Sequence, residues 1–165
     1  MYKIGDKVVY GQVGVCTITD ICEKVLIKRQ KREYYVLKPV DFDNNLIYAP
    51  IENGKVYMRH LISKEEANKL IDSIPSIIDG LSGEEEITKE EYTEKINNHS
   101  LNDLVELTAF IYSKKRNAQT LKKRLNAIDE KYMKISENLL FGELAAVLEI
   151  PINQVQGYIE KRIEK

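Results

Sequence analysis

Apolar and polar residues alternate with a period of two over the first third of the chain and follow helical spacing over the rest. Residues 7–10 form a short β-branched run, and Gly11-Gln12-Val13-Gly14 supplies a turn. Over residues 15–23, Val15, Thr17, Thr19 and Ile21 fall on one side, with Cys16, Ile18, Asp20 and Cys22 on the other. Lys28-Arg29-Gln30-Lys31-Arg32 reads as a basic loop. Residues 33–39, with Tyr34, Tyr35, Val36 and Leu37, read as a third strand. Asp41-Phe42-Asp43-Asn44-Asn45 carries turn chemistry. A fourth strand over 46–49 ends at Pro50. Asn53-Gly54 has the signature of a tight hairpin before a fifth strand over 56–59.

From Leu61 the period becomes helical. Ser63-Lys64-Glu65-Glu66 is a capping box, followed by an apolar face of Ala67, Leu70, Ile71 and Ile74 that Pro75 is expected to limit. Residues 80–86, Gly80-Leu81-Ser82-Gly83-Glu84-Glu85-Glu86, are a hinge candidate. Thr88-Lys89-Glu90-Glu91 is a second capping box, leading into Tyr92 and Ile96. Ser100 opens a third helix with Leu101, Leu104, Val105, Leu107, Thr108, Ile111 and Tyr112 as its apolar set. Asn126 caps a fourth that runs through Leu148, with Met133, Ile135, Leu139, Leu140, Leu144 and Val147 apolar. Pro151 suits the first turn of a last helix bearing Ile152, Val155, Tyr158, Ile159 and Ile163. The expected class is therefore α+β and multi-domain: a small SH3- or Tudor-like β-barrel over 1–62, then an all-α helical domain over 63–165.

Charge refines this division. Basic and acidic side chains number ten and seven over 1–62, four and ten over 63–98, and eleven and nine over 99–165. An acidic middle thus separates two mildly basic ends, and the net charge of -1 does not announce a nucleic-acid binder. Cys16 and Cys22 fall on one face of a single strand, which reads as a buried pair of reduced thiols. Their Cα atoms would stand roughly 20 Å apart, beyond a disulfide. Neither a signal peptide nor an apolar run of about 18 residues is present, so a cytoplasmic protein without a membrane span is expected.

Catalytic chemistry finds little support. His60 and His99 are the two imidazoles, and both sit where loop or capping residues sit. No P-loop, Gly-x-Gly-x-x-Gly, His-Glu-x-x-His or calcium loop occurs. The pairs Glu85/Glu86 and Glu90/Glu91 lie in a solvated acidic stretch. Cys16, Cys22, His60 and His99 are not spaced as metal ligands. No enzyme, cofactor or metal is expected. The basic run at 28–32 is either a solvated turn that discourages edge aggregation or a contact for phosphates or an acidic protein surface. Lys114-Lys115-Arg116 and Lys122-Lys123-Arg124 are expected to come from a helix end and the segment after it, and could form one positive patch toward DNA. The dipole at a helix C-terminus would also favour such cations. Tyr34, Tyr35 and Tyr48 combine apolar area with a polar tip, for packing or for an interface.

Tyr2-Lys3-Ile4-Gly5-Asp6-Lys7-Val8-Val9-Tyr10, Gly14-Val15, Ile18, Tyr34-Tyr35-Val36-Leu37-Lys38 and Ile47-Tyr48-Ala49-Pro50 resemble the CarD/CdnL family. In the helical half, Ser136-Glu137-Asn138-Leu139-Leu140-Phe141-Gly142-Glu143-Leu144-Ala145 is similar too. The opening motif is shared with the transcription-repair coupling factor. The resemblance implies a regulator whose Tudor-like domain binds the β subunit of RNA polymerase by pairing an exposed strand with a strand of the polymerase. The matching positions are Leu46, Ile47, Tyr48, Ala49 and Pro50, with Lys28 and Arg29 as further polymerase-facing candidates. Family members often carry a basic residue at the place of Tyr48. The resemblance also implies a helical domain that contacts promoter DNA with a wedging Trp and basic neighbours. This sequence has no Trp, Thr88 stands about where it would fall, and Glu90 and Glu91 occupy the expected basic positions. Promoter DNA thus remains a second candidate partner, through Lys114, Lys115, Arg116, Lys122, Lys123 and Arg124. A monomer is expected, with a domain-swapped dimer as the alternative. The rival reading is an adaptor that uses the same strand-addition surface on a different protein, away from promoters.

Overall fold

The computed structural model describes residues 1–40, 45–52, 54–80 and 87–164. The chain divides into two compact units, Met1–Leu61 and Ile62–Lys165. An antiparallel five-stranded sheet followed by five helices gives an α+β fold.

The strands are β1 (Lys7–Tyr10), β2 (Gly14–Ile27), β3 (Gln30–Pro39), β4 (Ile47–Pro50) and β5 (Met58–His60). The first four form a meander, and β5 returns to pair with β1, giving the order β4-β3-β2-β1-β5. Glycine is required where β1 turns into β2. Gly14 has φ +96° opposite Tyr10, and a Cβ on Gly11, at φ +48°, would meet Val56 at 2.7 Å. Val8, Cys16, Ile18, Tyr35, Leu37 and Ala49 form the core of the unit, with Tyr2, Ile47 and Met58 packed on it.

Three sequence expectations change here. The alternation along β2 is broken by a bulge at Thr19, because Ile18 pairs with Leu37 while Asp20 pairs with Val36. On its other side the Ile18 amide bonds to the Asp6 carbonyl at 2.9 Å, continuing the register of β2 with β1. The extra residue reverses the facing of the residues that follow it, up to the second register shift after Lys24. Cys16 is sealed in the core, whereas Cys22 lies opposite Tyr34 on the other face and is half-buried. The 28–32 stretch is not a five-residue loop: Ile27 pairs with Gln30, leaving Lys28 and Arg29 as a two-residue turn at φ +51° and +55°. Positive φ at both central positions matches the twist of the flanking strands. Finally, Asn53-Gly54 does not join paired strands. The segment it belongs to connects opposite ends of the sheet order, and Asn53 itself lies outside the described residues, as do 41–44.

The helices are α1 (Lys64–Asp79), α2 (Lys89–Asn97), α3 (Leu101–Thr120), α4 (Ala127–Leu148) and α5 (Val155–Ile163). Ser63, Thr88, Ser100 and Asn126 each accept a backbone N–H of the helix they open, and Ser63 and Glu66 complete a reciprocal box. Pro75 does not limit α1, which continues through it to Asp79. Ala67, Ile71 and Ile74 are buried, with Ile77 packed behind them, so one apolar stripe spans both sides of the proline. Pro75 itself is exposed, where its missing N–H costs least. Pro151 precedes a 3-10 turn over Ile152–Gln154 rather than sitting inside the last helix, and Ile152 is exposed. Of the hinge candidate, only Gly80 falls among the described residues; it caps α1 with its N–H on the Ser76 and Ile77 carbonyls.

The helical core includes polar side chains that apolar periodicity does not reveal: Thr108, Asp129, Ser136 and Glu143 are all buried. Glu143, on α4, accepts the Ile62 amide at 3.0 Å and so holds the first residue of the helical unit. Tyr92 and Tyr132 stack with centroids 5.0 Å apart.

Candidate functional site

Two surfaces stand out, one on each unit. The first is the outer edge of β4. This strand pairs with β3 through Tyr34↔Pro50, Tyr35↔Ala49, Val36↔Tyr48 and Leu37↔Ile47, and among the described strands it has no second neighbour. The Ile51 amide donates to the Glu33 carbonyl at 3.1 Å, which fixes the phase of the ladder. Residues 47, 49 and 51 turn their backbone groups toward β3. By alternation, Tyr48 turns both its N–H and its C=O outward, and Pro50 turns out a carbonyl with no N–H.

Side chains divide along the same strand. Ala49 is in the core and Ile47 packs against it, while Tyr48 and Pro50 share the opposite face and remain half-buried. Leu46, just before the strand, is exposed. The Lys24 ammonium, reaching across from β2, lies 4.0 Å from the centre of the Tyr48 ring. The resulting surface is a short backbone edge whose central residue carries an aromatic ring capped by a cation. Lys28 and Arg29 are both exposed at the tip of the β2–β3 hairpin, away from β4 along β3.

The second surface lies where α3 turns into α4. Here the two basic triplets do not act as one group. Lys114, in the body of α3, donates to the buried Asp129 at 3.1 Å and belongs to an internal network. Asp129 also accepts the Tyr92 hydroxyl at 2.6 Å, and its own amide bonds to Asn126 at 2.8 Å. Burial first, and then this hydrogen bond, push the Tyr92 hydroxyl well above the usual phenol range. Lys115, Lys123 and Arg124 line a groove of about 380 Å³. They are joined there by Lys134 of α4, which the sequence did not single out because it is isolated from any basic run. Arg116 faces a neighbouring groove with Ile78, Tyr112 and Gln156. Lys122 is exposed at φ +55° in the turn that ends α3.

The imidazoles take structural places. His60 lies against Tyr2, with ring centroids 4.7 Å apart. His99 follows the α2 C-cap at φ +56° and donates its amide to the Ile96 carbonyl. Among the described residues, no group of three or more His, Cys, Asp or Glu side chains could hold a metal ion, and no helix is long and apolar enough to cross a membrane.

Comparison with known families adds one finding. Residues 2–62 match the family model for the CarD-like/TRCF RID domain, over nearly the whole of the sheet-forming unit. No curated protein matches the chain in sequence.

Proposed function

We propose that this chain, whose residues 2–62 match the family model for the CarD-like/TRCF RID domain, is a CarD-like regulator that binds the polymerase β subunit by strand addition on β4 and thereby acts on promoter open-complex formation. The family's domain is a non-enzymatic, transcription-related module, and the anchor needs only backbone groups in the right phase. The outward N–H and C=O of Tyr48 supply them, and this is the observation that carries the reading. Ala49 and Ile47 hold the strand down on the core, so its edge is presented on a rigid support.

In this reading residues 1–62 anchor the protein and residues 63–165 act beside the promoter, in the cytoplasm where polymerase works. Lys28 and Arg29 meet the polymerase surface from the hairpin tip. The wedge mechanism implied by the resemblance has no Trp to use here. Influence on the open complex then comes from where the anchor holds the helical domain rather than from unstacking a base step.

The test uses the full chain and a purified β-subunit fragment. Tyr48→Pro removes the outward N–H without removing a β3 ladder bond, and Tyr48→Val serves as the fold control. Binding that drops at least tenfold for Tyr48→Pro and much less for Tyr48→Val supports strand addition. Equal retention of both variants and the wild type excludes it. An open-complex lifetime that is the same with and without the protein removes the promoter role.

A further inference from the structure

We propose that Tyr2 and Arg59 close the β5 edge of the sheet, so that the protein takes an added strand at β4 alone and does not pair edge to edge with further copies of itself. The inference rests on the reading of β4 as an open edge. The sheet order β4-β3-β2-β1-β5 leaves two outer strands, and among the described strands neither has a second neighbour. An open β4 on one copy could pair with an open β5 on the next. Such a head-to-tail contact does not close on itself and grows into a chain of copies. With β4 kept free for a partner, the protection falls to β5.

The phase of the ladder sets which groups of β5 face outward. The Gly11 amide donates to the Tyr57 carbonyl at 2.8 Å, and the same register continues through Tyr10↔Met58, Val9↔Arg59 and Val8↔His60. By alternation, Tyr57 and Arg59 turn their backbone groups toward β1, and Met58 and His60 turn theirs away. Both outward carbonyls are already engaged by side chains. The Tyr2 hydroxyl donates to the Met58 carbonyl at 3.2 Å, and the Arg59 guanidinium donates to the His60 carbonyl at 3.0 Å. The amides of a docking strand would have to compete with both donors. The Tyr2 side chain is held in place for this. Its amide donates to the Tyr35 hydroxyl at 3.1 Å, and its ring lies edge-on to Tyr35 and against His60, with centroids 5.7 and 4.7 Å away. Burial raises the Tyr2 hydroxyl above its ordinary range, so it stays protonated and able to donate at neutral pH. On β4, among the described residues, no side chain bonds to the outward carbonyl of Tyr48. The two edges of one sheet thus differ in kind.

The test compares the full wild-type chain with a Tyr2→Phe, Arg59→Met double variant by sedimentation velocity over a range of concentrations. Tyr2→Phe keeps the ring and Arg59→Met keeps an apolar side chain, while both donors are lost. The double variant should self-associate roughly tenfold more tightly than wild type. Tyr48→Pro added to it should return it to the wild-type state, because the pairing runs from β5 of one copy to β4 of the next. A double variant no more associated than wild type, or association that Tyr48→Pro leaves unchanged, overturns the closure of β5. Circular dichroism checks that each variant remains folded. Tyr2→Phe alone frees one carbonyl and should self-associate several-fold more tightly, and it decides the matter where the double variant is not folded. Binding of the β-subunit fragment keeps the two readings apart. Fragment bound by a double variant that does not self-associate overturns the closure of β5 alone, whereas a fragment that the wild type fails to bind counts against the β4 anchor.

Discussion

The hydroxyl of Tyr92, on a fully buried ring, donates to Asp129 at 2.6 Å across the interface of α2 with α4. Asp129 is itself buried and shared with Lys114 from α3, so one carboxylate ties three helices together. Tyr92→Phe removes one donor from a buried anion and should lower unfolding free energy by about 1–3 kcal/mol. Asp129→Ala leaves both the Lys114 ammonium and the Tyr92 hydroxyl without their acceptor and should cost more, about 3–5 kcal/mol. Urea titration followed by circular dichroism measures both. A Tyr92→Phe midpoint equal to wild type would show that the network contributes specificity without stability.

Alkaline pH should weaken the fold through its tyrosines. Burial raises the hydroxyls of Tyr92 and Tyr112 far above the phenol range, assisted by their bonds to Asp129 and Glu137. The folded protein therefore holds these protons more tightly than the unfolded chain does. Stability from this source is complete below pH of about 10 and declines as pH rises beyond it. Thermal melts between pH 8 and 11 should show a falling midpoint above about 10, and the Tyr92→Phe, Tyr112→Phe double variant should show a shallower decline.

The bulge at Thr19 predicts unequal thiols. Cys16 is fully buried, and burial pushes its thiol up to about 11; Cys22 is half-buried on the opposite face of the sheet. A thiol-reactive dye at neutral pH should label Cys22 within minutes and Cys16 only as the protein unfolds. Mass spectrometry of the labelled peptides distinguishes them, and equal labelling of the native protein would mean that the sheet unit opens readily.

Lys28 and Arg29 hold left-handed backbone conformations that cost side-chain-bearing residues about 1 kcal/mol each. Lys28→Asn with Arg29→Gly places the preferred residues in the same turn and should raise the melting temperature by several degrees. If the two cations face polymerase, the same double variant should also bind the β fragment several-fold more weakly. Greater stability with unchanged affinity would remove Lys28 and Arg29 from the interface.

The division into a sheet and helices was legible because period-two and helical patterns meet near Leu61, and the caps at Ser63, Thr88, Ser100 and Asn126 carry local chemical signals. The features that escaped were set by contacts distant in sequence. The Thr19 bulge lies in the pairing of β2 with β3, a register between distant residues that alternation alone cannot reveal. Asn53-Gly54 carries a hairpin signal, yet β5 finds its partner in β1. Phe110 and Tyr132 are buried although absent from the expected apolar sets, and Asp129 and Glu143 are buried because partners on other helices or segments satisfy them. Of the basic runs, the fold draws Lys114 into the network around Asp129 and sets Lys134 beside Lys115, Lys123 and Arg124, neither of which the runs themselves reveal.

Pro50 ends β4 with a residue that has no amide hydrogen to give. Under the proposed strand addition, a docking strand would meet a very short handhold, one that closes almost as soon as it opens. Such a grip would form and break quickly, so polymerase occupancy would follow the abundance of this protein from moment to moment rather than retain a memory of earlier encounters.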